Sequence, residues 1–293
     1  MNISWDDARI FLAVAETGSF SDAARRLQLG QPTVSRRIAE YEYQLGQPLF
    51  HRGRRGTTLT AEGTRLMEPA RQMARWAAEL ERAAADREGA ATGRVRLAAP
   101  PGIAHDFLVP FSAAFKQSQP GIQLEIRSSI HYLDLARGDA ELAIRSRRPT
   151  EASLTLLYEL RTPVAAFASA AYVATLPTPC SPSDVGWICW SEPYLHLSPR
   201  PELEALIDGF EPVFASDNFL VQYQACRLGL GAMFLSKVTH PLIADHGLQE
   251  VPLSLPPVQD SAYLVCPKSM EYVPRVRAVI KALCAVFDQI QSP

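Results

Sequence analysis

Hydrophobic residues recur at helical spacing near the start of the chain. Residues Trp5–Thr17 predict a first helix, with an apolar face made of Ala8, Phe11, Leu12 and Ala15. Gly18 can end this helix, because glycine adopts the left-handed backbone of a helix C-terminus without strain. Ser19 or Ser21 can then cap a second, short helix over Asp22–Leu27.

A third helix is predicted after a tight turn at Gly30. Pro32 suits the first turn of that helix, where its missing N–H group costs nothing. The inward stripe of the helix is Val34, Ile38, Tyr41 and Leu45, and the opposite side carries Pro32, Ser35, Arg36, Ala39 and Tyr43. Two helices joined by such a turn predict a helix-turn-helix unit, whose second helix enters the DNA major groove.

A wing is predicted directly after this unit. The segment Leu49–Thr60 pairs two strand-like ends around a basic tip, His51–Gly56, that ends in glycine. Such a wing would lay its basic side chains along a phosphate backbone or in the minor groove, and these side chains are Arg52, Arg54 and Arg55. A recognition helix followed by a basic wing is a stronger sign of DNA binding than either part alone.

Charge is unevenly distributed along the chain. The whole sequence has a formal net charge of -2. Between Arg25 and Arg55, however, seven arginines face only two acidic residues, Glu40 and Glu42. This basic footprint indicates a polyanionic partner for the segment, although a run of charge is also typical of a solvated surface.

Several side chains of the third helix suit base readout. Glutamine pairs bidentately with adenine, arginine pairs with guanine, and serine or threonine can bond to a base or a phosphate. Any surface helix can display such residues, so the interpretation as a DNA-binding helix also depends on the neighbouring wing. The predicted DNA contacts are Ser19, Gln31, Pro32, Thr33, Ser35, Arg36, Arg52, Arg54 and Arg55.

A long helix is predicted from Leu59 onward, with Thr60 as its cap. Its apolar positions alternate spacings of four and three: Leu59, Gly63, Leu66, Ala70, Met73, Ala77, Leu80 and Ala84. We interpret this seam as the pairing face of a dimer rather than as a helix packed on its own domain. Pairing would place two recognition helices ~34 Å apart, which suits a pseudo-palindromic DNA site.

Strand and helix patterns alternate after a small-residue linker at Glu88–Gly93. The predicted elements are strands at Arg94–Ala98, Ile122–Ser128 and Glu141–Arg145, helices at Asp106–Gln117 and Leu133–Gly138, a second set from Pro163, and a last helix at Val273–Ile290. This alternation predicts an α/β domain with a mostly parallel sheet.

Composition places the chain among ordinary globular proteins, with 47% hydrophobic and 20% charged residues in a length of 293. We expect a soluble cytoplasmic protein without a membrane span, because no secretory pattern and no run of ~18 apolar residues occurs. Five scattered cysteines fit reduced thiols and show no metal-type pairing. Cys180 and Cys189 leave a redox-sensing role open, although Cys189 is expected to be buried.

Sequence signals of catalysis are weak. The pair Gly229 and Gly231 resembles half of a dinucleotide fingerprint but lacks the third glycine, and no phosphate-binding loop or nucleophile elbow occurs. We therefore expect neither an enzyme nor a cofactor. The alternative is an α/β enzyme or solute receptor that carries a DNA-binding arm.

The N-terminal motifs together resemble the LysR-type transcriptional regulators. The matching residues are Phe11, Gly18, Ser19, Phe20, Ala23, Ala24, Leu27, Gln31, Pro32, Val34, Ser35, Ile38, Glu42, Leu45, Gly46, Leu49, Phe50, Arg52, Leu59, Thr60 and Gly63. Gly30 stands where the family often has serine, and Tyr41 where it usually has leucine. The later segments GRVRLAAPPGIAHDFLVP, GDAELAIR, PVAAFASAAYVA and RLGLGAMFLS resemble the effector-binding half of the same family.

The resemblance implies an architecture and a set of partners. It implies an all-α winged helix-turn-helix domain at 1–58, a linker helix at 59–89, and a two-lobed α/β effector domain at 93–293 like the periplasmic solute-binding proteins. Lobe I would span 93–163 and 267–293, and lobe II would span 164–266, joined by crossover strands near Thr162–Ala166 and Leu264–Pro267. The implied partners are double-stranded DNA, further copies of the chain as dimers and tetramers, a small-molecule effector and RNA polymerase.

An effector crevice is predicted where parallel strands end. Ligands of open α/β sheets bind beyond the C-terminal strand ends, where helix N-termini also present N–H groups. The hydroxyl and amide groups there suit a small carboxylate, with Arg145 or Arg127 as a clamp, although serines at strand ends more often cap helices. The predicted effector contacts are Pro101, Gly102, Ser128, Ser129, His131, Arg145, Trp190, Ser191, Ser216 and Asn218.

Overall fold

The computed structural model describes residues 4–53, 56–85, 91–243, 247–253 and 258–291. The chain divides into two units, residues 1–90 and 91–293. The elements of the first unit are α1 (Trp5–Thr17), α2 (Phe20–Leu27), α3 (Gln31–Leu45), β1 (Phe50–Gly53), β2 (Gly56–Leu59) and α4 (Ala61–Ala85). Among the described residues, no helix has both the length and the apolar character needed to cross a membrane.

Local signals in the sequence set the helix boundaries of the first unit. Gly18 ends α1 with a backbone φ of 64°, in the left-handed region that favours glycine. The Ser19 hydroxyl then accepts a hydrogen bond from the Asp22 N–H at the start of α2. Gly46 ends α3 in the same left-handed conformation, with a φ of 70°. The predicted positions of all three helices are confirmed.

The core of the first unit lies between the three short helices and the first half of α4. Phe11, Val34 and Ile38 are fully buried in it, and Ala70 of α4 joins the same cluster. Leu66 and Met67 also pack against this cluster. The first half of the predicted seam therefore packs on its own domain, because Gly63, Leu66 and Ala70 face that core, and the dimer interpretation is wrong for this half.

The second unit contains six helices and nine strands among its described residues. The helices are α5 (Pro101–Ile103), α6 (Val109–Ser118), α7 (Ala170–Val173), α8 (Arg200–Leu206), α9 (Phe219–Arg227) and α10 (Pro274–Gln291). A π-helical turn, Ala104–Leu108, joins α5 to α6. The strands are β3 (Gly93–Ala99), β4 (Ile122–Ser128), β5 (Leu142–Arg145), β6 (Leu154–Ala168), β7 (Ile188–Trp190), β8 (Phe214–Ser216), β9 (Met233–Ser236), β10 (Gln249–Glu250) and β11 (Val258–Pro267).

The main sheet of this unit is mixed rather than mostly parallel. Its strand order is β10-β6-β11-β5-β3-β4, with β9 also paired to β6. β3 pairs in parallel with β4 and β5, whereas β11 runs antiparallel to both β5 and β6. The alternation of strands and helices did not predict these antiparallel pairs. They form because the two crossover strands, β6 and β11, run side by side in opposite directions.

The hydrophobic clusters of the second unit belong to two lobes, each of which has one main cluster. Lobe I surrounds buried residues of β3, β5, α6 and α10, such as Leu97, Ile144 and Val279. Lobe II surrounds Trp187, whose ring stacks on that of Phe234 with centroids 4.9 Å apart. β6 passes from one core to the other, because Leu160 lies in the first core and Ala166 in the second.

The predicted helix at Leu133–Gly138 is absent, and this segment forms turns. Asp134 explains the difference: its carboxylate accepts a hydrogen bond from the Arg137 N–H, while its own N–H donates to Asp139. Such local side-chain bonds offer the backbone an alternative to a helix. Leu135 is buried at this turn, which accounts for the apolar signal in the sequence.

We predict that Gly63→Ala destabilises the first unit by about 1–3 kcal/mol through overpacking. A β-carbon at residue 63 would lie 2.3 Å from the carbonyl oxygen of Leu49 and 2.8 Å from Cδ2 of Leu59. Urea denaturation of the full chain, followed by far-ultraviolet circular dichroism, measures the loss.

Gly30→Ser is the matched control, because the nearest atom to a β-carbon there is 3.6 Å away and serine is a good helix cap. The control should match or exceed the wild-type stability. Equal midpoints for the Gly63→Ala protein and the wild type would contradict the close approach of α4 to Leu49.

Candidate functional site

The recognition face of the first unit is the outer side of α3. Val34, Ile38 and Tyr41 are buried on the inner side and fix the rotation of the helix. The predicted contacts Gln31, Pro32, Thr33 and Arg36 are exposed on the outer side, and Ser35 is half-buried beside them. The structure therefore brings these five predicted residues together on one face.

Ser19 is placed as the cap of α2 rather than at the free surface. Its Oγ accepts from the Asp22 N–H at 3.3 Å, and its own N–H donates to the Thr17 hydroxyl. The cap leaves the hydroxyl proton of Ser19 available to a phosphate. Tyr43, which lies on the outer side of α3, is 88% exposed and was left out of the predicted contacts.

The basic footprint is narrower than the sequence indicates. Three of its arginines form ion pairs with acidic residues that precede them in the chain: Arg25 with Asp22, Arg26 with Glu16, and Arg37 with Asp6 and Asp7. Arg36 lies 3.8 Å from Glu40 and is 71% exposed, so its charge remains available. The footprint was overestimated because these acidic partners lie outside the range Arg25–Arg55.

The wing is held to the rest of the unit by hydrogen bonds. β1 and β2 pair antiparallel, with Phe50 opposite Leu59 and Gly53 opposite Gly56. The Thr57 N–H donates to the Gly18 carbonyl at 2.9 Å. Arg54 and Arg55 lie outside the described residues, and for Arg52 the structure describes the backbone alone. Their predicted DNA contacts stay predictions.

Glu42 connects α3 to the wing. Its Oε1 accepts hydrogen bonds from the N–H groups of Leu49, at 2.7 Å, and Phe50, at 3.1 Å. Glu42 belongs to the family motif, but the sequence alone did not indicate that it would hold the wing. A carboxylate in the last turn of a helix opposes the helix dipole, which is a signal that it has a specific partner.

The second half of α4 exposes an apolar stripe. Met73 is 36% exposed, Trp76 39% and Leu80 72%. These residues are three and four positions apart, so they share one side of the helix. Trp76 was absent from the predicted seam, because the heptad count favoured the neighbouring Ala77. Among the side chains of α4 that the structure describes, this stripe, Met73–Trp76–Leu80, is the exposed apolar surface.

The lobe I side of the predicted crevice forms where two parallel strands end together. Ala99 of β3 is paired with Ser128 of β4, and the Ser129 N–H donates to the Ala99 carbonyl. Pro101 and Gly102 follow at the start of α5 and are half-buried. The structure therefore groups Pro101, Gly102, Ser128 and Ser129 at one edge of lobe I.

The lobe II side is built from β7, β8 and the start of α9. Trp190 is paired with Ser216, and the Ser191 N–H donates to the Ser216 carbonyl. Asn218 caps α9 through its side-chain oxygen. Lobe II therefore groups four of the predicted contacts, Trp190, Ser191, Ser216 and Asn218. Their contact with an effector stays a prediction.

A side-chain contact between His131 and Tyr194 joins the two lobes at this crevice. His131 Nε2 lies 3.1 Å from the Tyr194 hydroxyl, and the two rings are 5.6 Å apart. The Tyr194 ring also meets Trp190 edge-on, with centroids 5.8 Å apart. Tyr194 was missed in the sequence, because nothing in the loop around it signals that it reaches the end of β4.

Arg145, the predicted clamp, is already engaged within lobe I. It is buried, and its Nη1 lies 2.8 Å from Glu151 while its Nη2 donates to the Leu133 carbonyl at 3.2 Å. The Tyr132 ring covers the guanidinium at 5.0 Å. The hydrogen bond from Arg145 lowers the pKa of the Glu151 carboxyl. These contacts show Arg145 bracing two loops, and an effector contact stays a prediction.

Three of the cysteines, Cys189, Cys226 and Cys266, are buried, whereas Cys180 and Cys284 are half-buried. Burial raises the pKa of Cys189 to about 11, and burial also raises the pKa of Cys180. Both thiols therefore stay protonated near neutral pH, and a protonated thiol is a poor nucleophile. The geometry gives no support to the redox-sensing alternative at this pair.

The fold and the two sites define a class of protein. A winged helix-turn-helix with an exposed recognition face, followed by a long helix and a two-lobed α/β unit, is the organisation of a DNA-binding transcriptional regulator with an effector-binding domain. Two family profiles match: "Bacterial regulatory helix-turn-helix protein, lysR family" over residues 5–64, and "LysR substrate binding domain" over residues 88–288. The chain belongs to the LysR family of transcriptional regulators.

Individual relatives agree with this membership. The HTH-type transcriptional regulator PtxR of Pseudomonas aeruginosa is 30% identical over 283 residues, which cover 93% of this chain and 89% of that protein. An HTH-type transcriptional regulator of Xanthomonas campestris is 34% identical over 182 residues, which cover 61% of this chain and 52% of that protein. This chain thus aligns with about half the length of the latter relative.

Solved structures share the fold. Full-length CbnR in complex with its target DNA superposes with a TM-score of 0.59 at 17% identity, covering 97% of this chain and 100% of that one. At this identity the similarity concerns the fold alone. The predicted fold class, with a helical N-terminal head and a two-lobed α/β domain, is confirmed.

We predict that Glu42→Ala loosens the wing and lowers the stability of the first unit by about 1–3 kcal/mol, because the buried Leu49 N–H loses its acceptor. Chemical denaturation of the full chain measures the change. Glu40→Ala is the control, since Glu40 is exposed on the same helix and makes one long ion pair. A Glu42→Ala protein as stable as the control would contradict the proposed role of Glu42 in holding the wing.

Proposed function

We propose that this protein binds a specific DNA sequence through α3 and that a small molecule bound between the lobes of its second unit controls the effect of that binding. The observation that carries the proposal is the division of α3. Its inner face is buried, while Gln31, Thr33 and Arg36 extend from its outer face. These side-chain types match the donor and acceptor patterns of adenine and guanine in the major groove.

The DNA site in this proposal is an interrupted inverted repeat. A dimer with two-fold symmetry presents two copies of α3 to DNA, and successive major grooves on one side of the duplex are ~34 Å apart. The contacts are those predicted from sequence, with Arg36 reading a base and the wing arginines meeting phosphates. The structure of CbnR with its target DNA supports a DNA-binding role for this fold.

Self-association through α4 supplies that symmetry. The stripe Met73–Trp76–Leu80 is apolar and exposed on a helix of 25 residues. Pairing two such stripes would bury them by helix packing of the coiled-coil type. We propose dimers formed by this stripe, assembled further into tetramers, as the state that binds DNA.

The effector is proposed to be a small carboxylate or similar molecule held between the strand ends of lobe I and the β7–β8 edge of lobe II. The hydroxyl groups of Ser128, Ser129 and Ser216 lie at these strand ends and can donate hydrogen bonds to a carboxylate. A change in the angle between lobes would then alter how the recognition helices are held. We propose that RNA polymerase responds to this change, in the cytoplasm where DNA and polymerase meet.

We predict that Arg36→Ala weakens operator binding by about 1–3 kcal/mol and relaxes the sequence preference at one base position. Arg54→Ala should instead weaken binding to all sequences and flatten the salt dependence, because a phosphate contact carries no base information. Fluorescence anisotropy with operator and scrambled duplexes at several salt concentrations separates the two effects.

Arg137→Ala is the matched control, since Arg137 is 75% exposed in the second unit and its loss removes the same charge. This protein should bind the operator as the wild type does. If Arg36→Ala and Arg54→Ala also retained wild-type affinity, α3 and the wing would have no role in DNA binding.

We predict that Leu80→Gln raises the dissociation constant for self-association by about tenfold or more, because each copy loses the burial of a leucine side chain, worth ~1.5–3 kcal/mol. Sedimentation equilibrium over a range of concentrations measures it. Arg71→Gln is the control, because Arg71 is exposed on α4 outside the apolar stripe. Wild-type association of the Leu80→Gln protein would place the dimer interface elsewhere.

A further inference from the structure

The crevice between the lobes contains a phenylalanine that reaches from lobe II to lobe I. Phe219, the first residue of α9, points the far end of its ring at the backbone of Gly102 in α5. A β-carbon at residue 102 would lie 3.0 Å from Cζ and 3.3 Å from both Cε atoms of that ring. Such distances are shorter than nearly all contacts that β-carbons make in proteins. Glycine at residue 102 therefore allows the ring to lie there.

A row of rings supports Phe219 from behind. The Phe219 ring is stacked on that of Tyr223, with planes 9° apart and centroids 6.3 Å apart. Tyr223 in turn meets the ring of His105, which belongs to lobe I, at 5.9 Å. The row His105–Tyr223–Phe219 therefore spans both lobes. Together with the His131–Tyr194 contact, it lines the crevice with aromatic groups.

Phe219 also lies beside residues that are predicted to contact the effector. Its chain neighbour Asn218 and nearby Ser216 stand on the lobe II side, and Gly102 with Pro101 stands on the lobe I side. Because the Phe219 ring contacts Gly102 and belongs to the residue next to Asn218, a molecule that touched both Gly102 and Asn218 would meet this ring. That ring is half-buried, so a rotation about its side-chain bonds can move it toward solvent.

Resting on the proposed function, we propose that Phe219 determines effector specificity by occupying the effector position over Gly102, so that the effector is a planar aromatic molecule with an anionic group. When the ring moves aside, its packing against Gly102 is lost. A ligand that takes its place packs best against Gly102 when it has the same flat shape. Contacts between aromatic rings are favourable beyond the burial of their area, which favours an aromatic ligand in a crevice lined by rings.

The proposal predicts a preference that depends on Phe219. The test is isothermal titration calorimetry of the full chain with benzoate, cyclohexanecarboxylate and acetate, which share a carboxylate and differ in the attached group. We expect the wild type to bind benzoate more tightly than the other two anions. Phe219→Ala should bind benzoate about tenfold more tightly than the wild type, because no ring has to be displaced.

Two further variants separate displacement from the mere creation of a cavity. Gly102→Ala keeps the phenylalanine but requires its ring to shift by a few tenths of an ångström, which weakens its hold on this position, so it should also increase benzoate affinity. Leu206→Ala alters a residue of α8 in lobe II whose side chain is exposed, and should leave benzoate binding unchanged. A gain in Phe219→Ala without a gain in Gly102→Ala would mean a cavity only and would overturn the proposal.

Other outcomes are equally decisive. Equal benzoate affinities of wild type and Phe219→Ala, equal affinities for benzoate and cyclohexanecarboxylate, or no benzoate binding by either protein would each overturn the proposal. Phe219→Leu, which keeps an apolar side chain at the site, replaces Phe219→Ala if the alanine protein fails to fold. Operator binding of the same samples is measured in parallel: intact binding with no aromatic preference rejects this inference alone, whereas wild-type operator affinity in the Arg36→Ala protein rejects the proposed function.

Discussion

The ring of Phe11 joins α3 to the wing of the first unit. It is fully buried, and it contacts Tyr41 of α3 with centroids 6.4 Å apart and Phe50 at the start of the wing with centroids 5.5 Å apart. One side chain of α1 thus contacts both elements that we propose to meet DNA. Glu42 adds a second connection between the same two elements. Because α3 and the wing are coupled in this way, we expect a substitution of the exposed Arg36 to leave the position of the helix unchanged.

The second unit depends on a different constraint, the pairing of β6 with β11. These strands run antiparallel from Val258 opposite Val164 to Pro267 opposite Leu154, with a register shift between Leu264 and Val265. Within the part of the chain that the structure describes, β6 leads from the core of lobe I to that of lobe II and β11 returns beside it. A connection of two strands resists stretching but bends easily, and an irregular register promotes local bending. The contacts at the crevice can therefore set the angle between the lobes.

The sequence predicted those parts of the molecule that depend on neighbouring residues. Helix boundaries at Gly18 and Ser19 follow from local conformational preferences, and the buried face of α3 follows from helical spacing. Most features that the sequence did not predict depend on residues distant in the chain. Asp6 and Glu16 neutralise arginines of the basic segment, and Tyr194 meets His131 across 63 positions. The helix expected at Leu133–Gly138 failed because Asp134 satisfies the backbone locally, a competition that apolar spacing does not register.

The contacts across the crevice alter what an effector has to accomplish. A ligand shifts a conformational equilibrium only by the difference between its affinities for the two states. Here one state already holds Phe219 against Gly102 and His131 against Tyr194. An effector bound at the site that we propose would have to replace contacts that the chain makes with itself, and the replaced contacts would reduce its apparent affinity. The same replacement would couple binding to the lobe angle, because the proposed effector and the Phe219 ring exclude each other from one position. On this proposal, sensitivity to the effector and selectivity for its shape arise from the same pair of residues.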